Sequence, residues 1–242
     1  STSDSAGTLR RVTDDVRGVW MSLGSTGYIA LSGEVANVRE FGAVGNGTTD
    51  ATPAVNAART AAIANGKVLL FPGDYTYAVD QFTAASDLTV LAEGAVILHN
   101  GDSKPLLNIT TATPATDAAI QNFRWCGGIL RAKQSATNPT TTVVYVTDAQ
   151  HNGISPTEIQ AGDSAGAGAS KYANCGVFIF GRTNQGVYYN QFGPFKISGA
   201  TLAALSTDGW EGTLNYVNAN EFFNIRAHFS QLGVDLNGGQ GL

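Results

Sequence analysis

From Lys67 to the C-terminus, apolar residues come in short bursts, each closed by glycine, asparagine, serine or threonine. The bursts span Lys67–Phe71, Thr76–Val79, Leu88–Leu91, Val96–Leu98, Leu106–Ile109, Phe123–Leu130, Val143–Val146, Gly176–Phe180 and Lys196–Ile197. Runs this short, bounded by turn formers, predict strands. No helical period recurs after Asn65. Before it one does: Val55, Ala58 and Ala62 fall on one narrow face at helical spacing. Thr52 followed by Pro53 predicts the helix start, with the threonine oxygen accepting a free N–H of the first turn. Asp50 puts negative charge near the positive end of the helix dipole, and Asn65-Gly66 predicts the stop. A face lined by small alanines suits close packing over an open hydrophobic surface. The helix over Thr52–Asn65 is therefore expected to cover the end of a strand stack. A doubly wound αβ domain would need repeated helices downstream.

Strands alone leave a β-sandwich and a β-solenoid both open. Internal repetition favours the solenoid. Asn190-Gln191-Phe192 recurs 30 residues on as Asn220-Glu221-Phe222, and Lys196 maps onto Arg226 at the same offset. Gly176-Val177-Phe178-Ile179 has a counterpart in Gly233-Val234-Asp235-Leu236. Repeats of this length mark stacked units that bury a core only against their neighbours. They predict asparagines bonded to one another at a rung corner and Phe192 stacked on Phe222 inside the coil.

Residues 37–75 set out a strand, the Gly45-Asn46-Gly47 turn, a capped helix, a glycine, an apolar strand and the Pro72-Gly73 turn in that order. This run resembles the opening segment of the pectate-lyase-like superfamily, and is most similar to phage tailspikes and related polysaccharide depolymerases. The stretch Asn218–Ile225 followed by Gly233–Asn237 is similar to tailspike rungs. The resemblance implies an all-β fold: a right-handed parallel β-helix with an N-terminal capping α-helix and a short N-terminal neck. It implies a neck and oligomerisation segment over 1–33 and a β-helix over 34–242, incomplete at its C-terminal end. It further implies a homotrimer on a virion, contacts with other virion tail proteins, and a bacterial capsular or lipopolysaccharide glycan as ligand. Two rivals stay open: a secreted or cell-associated polysaccharide lyase or glycoside hydrolase, and a structural virion piece without a glycan site. The Asn-Thr-Asp, Gly-His-Gly and Arg-Ile-Lys signatures of the polygalacturonase branch have no counterpart.

Composition narrows the classes. The chain has 242 residues, 29 of them glycine, and only 14% are charged, which suits short strands and tight turns. The net charge of −5 comes without a basic cluster, so nucleic acid is not an expected partner. No apolar run reaches membrane-span length, and no membrane insertion is expected. Cys126 and Cys175 do not make a disulfide framework, and each beside a strand-like run is expected as a buried free thiol. No metal or cofactor is expected. Within 1–33, Trp20-Met21-Ser22-Leu23 and Tyr28-Ile29-Ala30-Leu31 read as a hairpin whose large apolar residues would pack around a threefold axis.

Candidate chemistry rests on strand alternation. Val234 and Leu236 are expected to face the core and Asp235 to face out. By the same count Phe178 and Phe180 point outward, as glycan-stacking or interface residues. Asp208, Trp210 and Glu211 join two carboxylates to an indole in a turn-rich stretch, and Glu221 lies beside a corner asparagine. If a glycan is cleaved, carboxylate acid–base chemistry is the expected route, with Asp208, Glu211, Glu221 and Asp235 as candidates. The plain alternative for each is a solvated surface acid. His99, His151 and His228 are scattered and read as structural or solvated.

Overall fold

The computed structural model describes residues 9–12, 18–22, 28–30, 35–101, 104–112, 118–133, 142–162, 173–181, 186–200, 202–209, 217–228 and 232–237. From Val35 on, every strand pairing among them is parallel, and the strands return to the same four sheets in rotation. The chain forms a parallel β-helix, the fold class that the repeats predict.

The first face stacks Val35–Asn37, Val68–Leu70, Thr89–Leu91, Arg124–Cys126, Gly153–Ser155, Gln191–Phe192 and Glu221–Phe222. The second runs from Asn46–Asp50 through Thr76–Val79, Val96–His99, Ile129–Arg131, Glu158–Gln160 and Phe195–Ser198 to Ile225–His228. The third stacks Phe82–Thr83, Leu107–Ile109, Thr142–Val146, Cys175–Gly181, Ala203–Gly209 and Leu232–Asn237. A fourth, narrow sheet holds Ile120–Gln121, Ala149–Gln150, Val187–Tyr188 and Val217–Asn218. Ala203–Gly209 is not among the expected strands. Its Ala-Ala-Leu-Ser-Thr sequence carries little of the β-branched signal that marks the others.

Alternation sends one column of side chains per face into the coil. On the first face it runs Leu69, Val90, Trp125, Ile154, Phe192, all fully buried, and then Phe222. Each such side chain contributes about 1.5–3 kcal/mol by leaving water. Phe192 and Phe222 stack at 5.1 Å, as the repeat predicts. Val234 belongs to the third face's inward column after Leu205, yet it is 54% exposed, because its strand is the edge of that sheet.

The helix spans Thr52–Ala64 and buries Val55, Ala58 and Ala62, packing on Val35–Asn37 and Val68–Leu70 of the first face, Thr76–Val79 of the second and Phe82–Thr83 of the third. Its start differs from expectation. Ala51 is the N-cap and offers no side-chain bond, so Thr52 is the first helical residue. The Asp50 carboxylate accepts from the Thr52 N–H (2.9 Å) and hydroxyl (2.6 Å). These bonds, working against burial, hold its pKa below the ordinary value. The Thr52 hydroxyl oxygen instead accepts from the Asp80 N–H at 2.8 Å, tying the helix to the second rung. Cys175 is buried, but Cys126 points outward from the first face and is only half-buried, which corrects that expectation; both are free thiols.

Residues Leu9–Val12, Gly18–Ser22 and Tyr28–Ala30 form a separate antiparallel sheet. The expected hairpin is there, with Met21 opposite Ile29, and a further strand pairs on its other side.

Candidate functional site

One corner of the solenoid shows how the scaffold is held. Where the fourth sheet turns into the first, Asp87, Asn122, His151, Tyr189 and Ala219 all take left-handed backbone with φ between 52° and 60°. That conformation costs a non-glycine residue about 1–2 kcal/mol. The next position inward is Leu88, Phe123, Asn152, Asn190 and Asn220 in successive rungs. The three asparagines form a ladder. Asn190 Oδ1 accepts from the Asn152 backbone N–H (3.0 Å) and its Nδ2 (2.8 Å), and Asn220 Oδ1 does the same for Asn190 (3.0 and 2.9 Å). Each Nδ2 also donates to a carbonyl one rung back, that of Ile120, Ala149 or Val187, at 2.9 Å. Every amide group there is spent on neighbouring rungs, so this corner is scaffold.

The third face is different. Its outward column reads Thr83, Asn108, Tyr145, Phe178, Ser206, Asp235. Tyr145 and Phe178 are register partners with rings 5.9 Å apart, and Phe180 stacks on Phe178 at 6.2 Å with the planes 16° off parallel. All three rings are half-buried, between Val144, Val146, Val177 and Ile179, which the core takes completely. Asp208 lies in register beside Phe180 and is also half-exposed. A row of rings edged by a carboxylate thus faces outward on a rigid sheet.

Phe178 and Phe180 therefore stand where alternation predicts. Asp208 is on a strand, not in a turn, and the structure brings it to them. Trp210 and Glu211 lie outside the described residues. Asp235 is described by its backbone alone, paired with Ser206. Glu221 is exposed on the first face, where it accepts from Gln191 Nε2 at 3.0 Å. It does not share a face with Asp208. Tyr145 was missed, although the alternation Val144-Tyr145-Val146 carries the same signal as Phe178. The sequence also reads Gly-x-Ser-x-Gly over Gly162–Gly166, of which residues 163–166 lie outside the described ones.

On the second face, Glu158 meets Lys196 Nζ and the Ser198 hydroxyl, each at 3.1 Å. Burial pushes the Glu158 carboxyl up, but bonds from Lys196, Gln160 and Ser198 outweigh it and hold the pKa below its ordinary value. Among the described residues no group of three or more histidines, cysteines and acids could hold a metal. None of their helices is long and apolar enough to cross a membrane.

No protein-family model matches the chain, and no curated protein matches it in sequence. Solved structures do resemble it. ORF18 of Geobacillus virus E2 aligns with TM-score 0.53 and 15% identity over 92% of this chain and 51% of that one. A candidate glycosyl hydrolase from Parabacteroides merdae aligns at TM-score 0.46 and 12% identity over 86% of this chain and 96% of that one. PfbA, a surface adhesin of Streptococcus pneumoniae, gives 0.41 and 12% over 85% and 81%. The chain spans about half the length of the Geobacillus virus protein it matches, and at these identities what the likeness establishes is a shared fold.

Proposed function

We propose that this chain is part of a tailspike-like member of the pectate-lyase-like superfamily and binds an extended bacterial surface polysaccharide along its third face. The observation that carries the reading is the outward row Tyr145, Phe178 and Phe180 with Asp208 beside it. Apolar rings held half-exposed on a rigid sheet offer flat surfaces to the C–H faces of sugars, and a neighbouring carboxylate accepts from sugar hydroxyls. A solenoid extends this surface along one axis, which suits a repeating polymer. In this reading the protein acts at a virion surface, residues 1–33 assemble a homotrimer, and other tail proteins hold it there. An acid–base pair needs two carboxylates about 5–10 Å apart across the bond. Asp208 and Glu221 stand on different faces, whereas Asp235 falls in register with Ser206 on the strand next to that of Asp208, on the same face.

A panel of capsular polysaccharides and lipopolysaccharide O-chains, read by calorimetry and by assays for reducing ends and unsaturated uronates, tests this. Binding of one glycan without bond cleavage, lost in Phe178→Ala and Phe180→Ala, is the expected result. If no glycan binds, and those variants instead change the oligomeric mass in sedimentation, the rings belong to a subunit interface.

A further inference from the structure

Four Asn-Gly pairs lie wholly within the described residues: Asn46-Gly47, Asn65-Gly66, Asn100-Gly101 and Asn152-Gly153. Glycine has no Cβ to keep its backbone nitrogen away from the preceding side-chain carbonyl carbon, so each pair has the atoms to close into a cyclic imide. The fold restrains three of them. Asn152 is 1% exposed, and its Oδ1 accepts from the Phe123 N–H at 2.8 Å. Its Nδ2 donates to the Ile120 carbonyl and to Asn190 Oδ1, and the Gly153 N–H is spent on the Phe123 carbonyl at 2.9 Å. Asn46 is exposed, but its Oδ1 accepts from the N–H groups of Thr48 (3.0 Å) and Thr49 (2.9 Å), and its Nδ2 donates to Thr49 Oγ1 at 3.0 Å. The Asn100 side chain bonds to the Asp50 carboxylate, and Gly101 lies against the Asp80 carboxylate. Negative charge there opposes a reaction whose attacking nitrogen must lose a proton.

Asn65 differs. It is exposed at the C-cap of the helix, and of its side chain only Nδ2 is held, donating to the Ala61 carbonyl at 2.8 Å. The Gly66 N–H reaches the Ile63 carbonyl only at 3.4 Å, a weak bond. A Cβ at Gly66 would meet nothing within 4 Å, so the space beside the attacking nitrogen is open. Helix ends also fray, which frees the pair to reach the reactive geometry.

We propose that Asn65 is the site at which this protein modifies itself with age. The Gly66 nitrogen attacks Asn65 Cγ and the new C–N bond closes a succinimide. The Cγ–Nδ2 bond breaks, and the amide nitrogen leaves as ammonia with the proton that Gly66 gives up. Water then opens the ring at either carbonyl, leaving aspartate or isoaspartate at position 65. Solvent water is the sole co-reactant. Either product sets a carboxylate at the negative end of the helix dipole. Isoaspartate also adds a backbone carbon before Gly66, whose left-handed turn (φ 60°) directs the Lys67 N–H to the Ala62 carbonyl at 2.8 Å. Ala62 is one of the three residues that the helix buries against the first rungs. The modification therefore loosens the cover of the solenoid's first rungs.

The test holds the full chain in mildly alkaline heavy-oxygen water, digests samples in ordinary water and maps the label and isoaspartate by mass spectrometry. The peptide carrying residues 65 and 66 is expected to take up label first, with those of Asn46 and Asn100 severalfold slower. Asn152 should lag by about tenfold or more, because reaction there waits on opening of the fold. In the chain unfolded by urea the four pairs should react at similar rates. Asn65→Gln, a change at an exposed position, should abolish uptake in its peptide and keep the urea midpoint of aged protein at its starting value, while that of the unaltered chain falls. Label entering Asn46, Asn100 or Asn152 as fast as Asn65 in the folded protein would overturn the proposal. So would the same ranking in urea, which would make the order a matter of neighbouring sequence. Full conversion of Asn65 with no change in the midpoint would sink its link to the helix.

Discussion

At the corner, asparagines occupy the inward column that earlier rungs fill with Leu88 and Phe123; on the third face, aromatic rings occupy the outward column that earlier rungs fill with Thr83 and Asn108. Polarity thus switches in opposite senses at about the same rung. The corner amides are buried and every bond they make is internal. The rings are half-exposed, and the core has no need of them, since Val144, Val146, Val177 and Ile179 already fill it. A buried polar residue with all its partners holds a fold together, whereas apolar rings such as Phe178 and Phe180 turned outward on a rigid sheet present surface to something else.

The sharpest way to break this contrast is at the ladder. Asn190→Ala leaves the Asn152 N–H without its acceptor inside the fold and should cost about 3 kcal/mol of stability in urea titration. The glycan affinity of the remaining folded protein should not change. Phe178→Ala is the opposite case: about tenfold weaker glycan binding, near 1.5 kcal/mol, with little change in stability. A large loss of stability there, with affinity kept, would make the rings scaffold after all. Smaller still is Ala219→Gly, which relieves left-handed backbone at the same corner and should raise stability by about 1 kcal/mol, read as a higher urea midpoint. A loss instead would mean that the Ala219 methyl contributes more than the strain costs.

The second face supplies the smallest effect. Because the Glu158 pKa is depressed on folding, its contribution is present above the ordinary value of 4.5 and is lost as pH falls through the lower folded value. The Lys196 side chain is 37% exposed, so screening limits the pair to about 0.5 kcal/mol. Lys196→Gln should flatten the acid limb of the stability–pH profile by that amount. An unchanged limb would show that the other bonds to Glu158 carry the shift.

Much of the scaffold is legible along the chain because its causes are local. Thr52-Pro53 and Asn65-Gly66 punctuate one helix, and period-2 alternation separates Phe178 and Phe180 from Val177 and Ile179. The 30-residue offset of Asn190 and Asn220 names two rungs of the ladder. Asn152 escaped because its rung lies 38 residues from Asn190, and loops of different length blur a repeat that the strands keep. Thr52 reads as a cap in isolation, but its hydroxyl oxygen turned to the Asp80 N–H, a partner 28 residues away.

The sequence by itself determined the fold class, the helix that packs on the first rungs and the outward setting of single aromatics, since each follows from periodicity and backbone preference within a few residues. Only the tertiary structure decided which outward residues stand together. Register between strands 25 to 40 residues apart set Tyr145 against Phe178 and Asp208 beside Phe180, and moved Glu221 to another face. Packing of the helix on the second rung brought Arg59 Nη2 to the Ala84 carbonyl, a partner 25 residues away. Contacts of this kind are fixed by how loops of unequal length bring the strands back, and side-chain alternation within one strand carries no record of that return.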